Sequence, residues 1–237
     1  MTSGSLILGL DTALSGCSAA LVTEGGEVRA MRFELIARGH AERLVPMVGE
    51  LLAEAGVEPG RISAVAVAAG PGSFTGIRVG LAAARAFALA WGAPCSGVSS
   101  LAVLALAARG ENREAIGSGP FLAAIDASRG QVYAQVFQSA GAADEALEPL
   151  TAPAAIAPEE AARLAAEHGC AVAAGSGAKL VHDASAGAVA AVAPEWTDAA
   201  HVARLSRFGG FALPPQALYV RPHDARLPGG ATLPPRP

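Results

Sequence analysis

The residues best placed to do chemistry lie in A-A-G-P-G-S-F-T-G-I-R-V-G, residues 68–80, between a short apolar run and an alanine-rich helical run. A glycine-rich turn from strand to helix is where proteins commonly hold a phosphate. A P-loop needs G-x-x-x-x-G-K-[ST], whose lysine reaches the phosphates. Here Gly76 is followed by Ile77, and the chain's single lysine is Lys179. A dinucleotide turn needs G-x-G-x-x-G and an acid about 20 residues on to hold a ribose. The spacing Gly70, Gly72, Gly76 is one residue too long, and no Asp or Glu lies between Pro59 and Gly110. The residues fit a structural turn instead. Gly70 and Gly72 supply unusual dihedrals around Pro71, and Ser73 or Thr75 caps a helix beginning near Gly76. Amides at that helix start could still attract an anion.

Other constellations are incomplete. Asp11 and Asp126 each end a strand-like run and could hold a magnesium-bound nucleotide. Their neighbours, Thr12-Ala13 and Ala127-Ser128, lack the glycines that let a phosphate approach. Gly175-Ser176-Gly177 could pack on an adenine, or be an ordinary turn. No G-x-S-x-G elbow is present. His40 opens the run H-A-E-R-L, so the position one helical turn on is Leu44 rather than a second metal ligand.

These residues need elements to hold them. Strand-like runs cover Ser5 to Leu10, Cys17 to Thr23 and Val28 to Leu35, with a turn at Gly25-Gly26. Helical spacing follows from His40 to Gly56, where Pro46 should kink the helix or mark its true start. A buried strand is expected at Ile62 to Ala68, then helices at Gly76 to Trp91 and Ser99 to Arg109. Residues 110–120 read as a polar loop. The opening then repeats: Phe121 to Ile125, a turn, and alternating Gln131 to Phe137 put Asp126 where Asp11 stood. A helix at Pro158 to His168, a strand at Cys170 to Ala174 and a helix at Thr197 to Phe208 complete the pattern. Two similar halves of mixed strand and helix imply an α/β duplication. The expected domains are 1–110, joined by a late helix within 197–220, and a reduced second one, 111–196, with a tail at 228–237.

Composition sets outer limits. Hydrophobic residues make up 52% but aromatics only 5%, which points to close-packed helices of small residues. Apolar stretches such as Leu101 to Ala108 fall well short of the roughly 18 residues of a membrane span. A net charge of −4 argues against a basic surface able to hold nucleic acid strongly by itself. Cys17, Cys95 and Cys170 are far apart and read as reduced core residues, which suits the cytoplasm.

The sequence as a whole resembles a known family. G-P-G-S-F-T-G-I-R-V-G followed by G-V-S-S-L (97–101), the opening L-G-L-D-T-A, the H-A-E-R-L-V-P helix, Q-V-Y-A-Q-V-F and the late A-L-Y-V-R-P are similar to the bacterial tRNA threonylcarbamoyladenosine biosynthesis family TsaB, also called YeaZ. The likeness is specific over 6–101 and loose over 139–200. It implies a duplicated actin-like fold of the acetate kinase, hsp70 and actin superfamily that has lost catalysis and needs no cofactor or metal. It also implies binding to the catalytic paralogue TsaD, action with the ATPase TsaE and contact with tRNA only through the complex; whether the chain alone is a homodimer or a monomer stays open. On that footing Asp11, Thr12, Asp126, Gly175 and Gly177 are relics of a nucleotide site. An active small-molecule kinase of the same superfamily is the alternative, and nucleotide titration would separate the two.

The helices carry the expected interface. Ile77, Leu81, Ala84, Phe87, Ala88 and Trp91 share a core face, leaving Val79, Ala82, Ala83 and Ala86 on a small apolar back. With Leu44, Val48 and Leu51 of the earlier helix, these residues are the expected partner surface. A second domain or the C-terminal helix could cover them instead.

Overall fold

The structure, a computed structural model, describes residues 5–139, 147–192, 194 and 197–221. The expected tail at 228–237 lies outside the described residues.

Strands β1 (Leu6–Asp11), β2 (Gly16–Thr23) and β3 (Val28–Leu35) form an antiparallel meander. Helix α1 (His40–Ala55) leads to β4 (Ile62–Gly70), and α2 (Phe74–Trp91) leads to β5 (Cys95–Ser99) and α3 (Ser100–Glu111). Both β4 and β5 run parallel to β1, giving the order β3-β2-β1-β4-β5. A short helix, α4 (Arg113–Ile116), occupies the stretch expected to be a loop.

The second half repeats the plan in reduced form. Strands β6 (Phe121–Asp126), β7 (Val132–Ser139), β8 (Leu147–Pro149) and β9 (Ala154–Ile156) pair antiparallel. Helix α5 (Pro158–Glu167) precedes β10 (Val172–Ala174), and α6 (Ala178–Ala184) precedes β11 (Ala190–Val192); both strands join in parallel. The order β8-β7-β6-β10-β11 is the order of the first sheet, with β6 in the place of β1. This is the duplicated actin-like α/β fold. The final helix α7 (Ala199–Ser206) packs on β1, β2 and β4.

Local chemistry sets the helix ends. Ser73 caps α2 by accepting from the Gly76 amide at 3.2 Å. Gly56 closes α1 in the left-handed region. Pro46 lies inside α1 and does not start it. Its missing N–H leaves the Glu42 carbonyl without a helical donor, but both residues face water, so solvent satisfies that group.

Every residue of β1 is buried, as expected for a strand covered on both faces. Helix α3 is buried from Ser100 to Arg109 and touches strands of both sheets as well as α7. Its apolar run therefore serves as a bolt between the halves; no described helix is long and apolar enough to cross a membrane. Leu101 and Leu104 share one continuous core with Leu8 and Val67 of the first sheet and Phe121 and Phe137 of the second. A smaller core lies under α5 and α6. Cys17 and Cys170 are buried, but Cys95 is only half-buried at the start of β5.

Because that core is shared, the halves should unfold together. Leu101→Ala removes a fully buried side chain and should cost about 2–5 kcal/mol. Urea unfolding followed by circular dichroism and by tryptophan fluorescence should give coincident single transitions in both proteins. Two separated transitions would show that α3 does not couple the sheets.

Candidate functional site

The glycine loop is occupied by the chain's own backbone. The Ser73 amide donates to the Ala13 carbonyl at 2.7 Å, and the Thr12 hydroxyl donates to the Gly76 carbonyl at 2.8 Å. A Cβ on Gly72 would stand 2.3 Å from the Ala13 oxygen, and one on Gly76 would stand 2.0 Å from the Thr12 oxygen. The close approach that these glycines allow is used by the turn after β1, not by a phosphate. Gly70 alone of the loop glycines turns the chain with a positive φ, 102°. Gly72 is needed for space rather than for an unusual dihedral, which corrects the expectation from sequence. Ser73 rather than Thr75 is the cap, and Pro71 is buried beneath.

The two aspartates keep equivalent local geometry and meet different surroundings. Asp11 accepts from the Ala13 amide at 2.9 Å, and Asp126 accepts from the Ser128 amide at 2.7 Å, each two residues on. Asp11 is buried beside the N-terminus of α7, where it meets Thr197, Asp198 and His201. Asp198 caps α7 through the amides of Ala200 and His201 at 2.8 and 3.1 Å, and its carboxylate meets His201 Nδ1 at 3.0 Å. Burial pushes the Asp11 carboxyl up to about 6, against the pull of the Ala13 amide and the Thr197 hydroxyl. Burial also raises Asp198, but the bond from His201, its charge and the two amides outweigh it and hold that carboxyl below its ordinary value.

Asp126 stands in water on a cleft of about 360 Å³, together with Leu14, Ser73, Ser128 and Ser176. Asp11 and Thr12 do not line that cleft. The duplicated carboxylates therefore do not converge on one ligand. Gly177 donates to the Ala124 carbonyl at 2.9 Å, and a Cβ on Gly175 would meet both Ala124 and Leu104, so this turn is packed onto β6. Among the described residues no three His, Cys, Asp or Glu side chains gather where they could hold a metal ion. Leu44, one turn after His40, is fully buried.

The helix faces differ from those expected in one respect. Leu44, Val48 and Leu51 are buried against the sheet and cannot form an outer surface. They share the buried stripe of α1 with Met47, and α1 packs on β2 and β3. The outward ridge is rotated by one residue: Val45, 53% exposed, then Gly49 and half-buried Leu52. On α2, Val79 and Ala83 are half-buried, whereas Ala82, Ala86 and Leu89 form an exposed ridge at i, i+4 and i+7. Leu89 is 86% exposed; sequence reasoning passed over it, although an exposed leucine three residues beyond Ala86 continues the same stripe. The two helices pack side by side, so both ridges belong to one face.

A family model described as "TsaD: tRNA N6-adenosine threonylcarbamoyltransferase" matches residues 33–208. The chain is 43% identical over 132 residues to the tRNA threonylcarbamoyladenosine biosynthesis protein TsaB of Escherichia coli (strain K12), covering 56% of this chain and 54% of that one. It is 37% identical to the protein of the same description from Bacillus subtilis (strain 168), covering 56% and 55%. The chain thus spans about half the length of the curated relatives it matches. The solved structure of YeaZ from Pseudomonas aeruginosa superimposes with a TM-score of 0.73 at 31% identity, covering 91% of this chain and 99% of that one.

Asp11 gives a pH test of the buried site. Its folded value of about 6 lies above the ordinary 3.8, so its protonated form adds stability that is complete below pH 4 and lost as pH rises through 6. The shift corresponds to at most about 3 kcal/mol. Asp11→Asn keeps the acceptor for Ala13 and cannot ionise. Measured by urea unfolding, the variant should gain on the parent by about 1–3 kcal/mol between pH 4 and pH 7. A difference that stays flat across that range would mean that Asp11 is not buried as a charge.

Proposed function

We propose that the chain, which belongs to the TsaB/YeaZ family, is the non-catalytic partner subunit in the synthesis of threonylcarbamoyladenosine in tRNA. It docks on the paralogue TsaD, acts with the ATPase TsaE and works in the cytoplasm, where the tRNA to be modified is found. The names of its relatives supply the pathway. The paired helix ridges carry the partner role: Val45, Gly49 and Leu52 of α1 beside Ala82, Ala86 and Leu89 of α2. An exposed helix back ordinarily carries charges, whereas these six positions carry none. Small residues let helix backbones approach at the short end of the usual 8–10 Å spacing. A homologous protein built on the same duplicated fold presents equivalent helices to such a face. Val79 and Ala83, half-buried beside the exposed residues of α2, support the ridge from within.

The placement of Asp11 agrees with a subunit that leaves chemistry to its partner. Asp11, whose carboxyl burial pushes up to about 6, faces α7 instead of the cleft, so it cannot serve a substrate there. A kinase of this superfamily would need that carboxylate in the open.

Ala86→Glu tests the reading. Ala86 is exposed, so the isolated variant should melt within about a degree or two of the parent. In the complex the glutamate would be buried without a partner, at a cost of several kcal/mol, and calorimetric affinity for TsaD should fall about a hundredfold or more. Purified alone, the chain should make no threonylcarbamoyladenosine from threonylcarbamoyl-adenylate and tRNA. Normal TsaD binding by Ala86→Glu would place the interface elsewhere, and turnover by the chain alone would make it an enzyme.

A further inference from the structure

A second cleft, of about 350 Å³, lies between the first turn of α2, the turn from β6 to β7 and the C-terminal segment 218–221. Its described walls contain arginine and tyrosine and no carboxylate. Phe74 and Tyr219 are 55% and 46% exposed, with ring centres 6.3 Å apart. The Arg78 guanidinium lies 3.5 Å over the Phe74 ring and donates to the Tyr219 hydroxyl at 3.1 Å. The Arg221 guanidinium sits 5.8 Å from the Tyr133 ring centre, and its Nη2 donates to the Ala127 carbonyl at 3.1 Å. Its Nε is buried with no acceptor among the described residues. Arg129 reaches the cleft from a turn in which Ser128 and Arg129 both hold positive φ, 59° and 55°.

Half-exposed rings beside guanidinium groups match the two parts of a nucleotide, since a base stacks on ring surface left uncovered and its phosphate takes charge-assisted hydrogen bonds. An acidic peptide would use the arginines but gain little from the rings. We propose that this cleft binds a nucleotide unit of single-stranded RNA, the base on Phe74 and Tyr219 and the phosphate on Arg221 and Arg129. The proposal deepens the assigned function and rests on it only for the identity of that RNA as tRNA. With a net charge of −4 and one phosphate held, the chain should bind modestly, with a salt slope of about one phosphate contact.

The test is fluorescence anisotropy of a labelled single-stranded RNA of mixed sequence with the full chain, competed by AMP and by polyglutamate. Phe74→Leu should weaken binding by roughly five- to a hundredfold through lost stacking. Arg221→Gln should weaken it about tenfold or more and reduce the salt slope by about one phosphate contact. Arg129→Gln, which leaves the Ala127 contact in place, should act in the same direction if Arg221→Gln melts early. Three results would overturn the proposal: no RNA binding, displacement by AMP at concentrations equal to those of RNA, or equal competition by polyglutamate with Phe74→Leu silent. Failure here with normal TsaD association leaves the partner role standing. RNA binding by a chain that neither binds nor assists TsaD overturns that role alone.

Discussion

The turn at Thr12 and Ala13 lies directly against Ser73 and Gly76: the Ser73 amide donates to the Ala13 carbonyl at 2.7 Å, the Thr12 hydroxyl donates to the Gly76 carbonyl at 2.8 Å, and no Cβ fits at Gly72 or Gly76. That contact fixes the rest. It anchors the turn after β1 to the start of α2, so the helix leaves the sheet at one angle and presents one ridge. It also fills the space in which a phosphate would otherwise sit against the helix N-terminus. A glycine-rich strand-to-helix turn is consistent with two uses, approach by a ligand or approach by the chain itself. Here two carbonyls of the chain take the place.

The same economy of space operates on the other face of the sheet. The N-terminus of α7 lies against the end of β1, with the Ala199 amide bonded to Ser18 Oγ at 3.0 Å and Asp198 capping the helix. Asp11 is enclosed by this docking and kept from the solvent that would stabilise its charge. Its repeat, Asp126, makes the same turn but has no helix over it and stays in water. Duplication thus preserved the local bond at both aspartates, while packing set their chemistry apart.

Much of this was legible in the residues. Alternation placed β3 at Val28–Leu35, and spacing gave the core face of α2, where Ile77, Leu81, Ala84 and Ala88 are buried. The recurrence of strand, aspartate and turn exposed the duplication. Strand β5 was not legible because C-S-G-V-S has neither alternation nor β-branched enrichment; it forms because β4 offers it an edge. Strands β8, β9 and β11 have three residues each and carry too little pattern to read. The phase of α1 failed for a different reason. Its apolar arc spans Leu44, Val45, Val48, Gly49, Leu51 and Leu52, wider than one core can use, and spacing alone does not say which edge of the arc meets the sheet. Only the packing of β2 and β3 decides it.

Helix α2 joins the two surfaces left outward. Its first turn, at Phe74 and Ile77, lines the arginine and aromatic cleft, and its middle and end carry Ala82, Ala86 and Leu89. At 18 residues it is roughly 27 Å long. The C-terminal segment stiffens it: Arg85 bonds the Pro215 carbonyl, Arg78 bonds Tyr219, and the Leu218 amide donates to Ala69 at 2.8 Å. On the proposed reading, a subunit seated on the ridge would be held at a fixed distance and direction from an occupant of the cleft. The glycine contact, by fixing how α2 leaves the sheet, sets that distance. A turn whose space is taken by the chain's own carbonyls would then set where the two proposed partners stand.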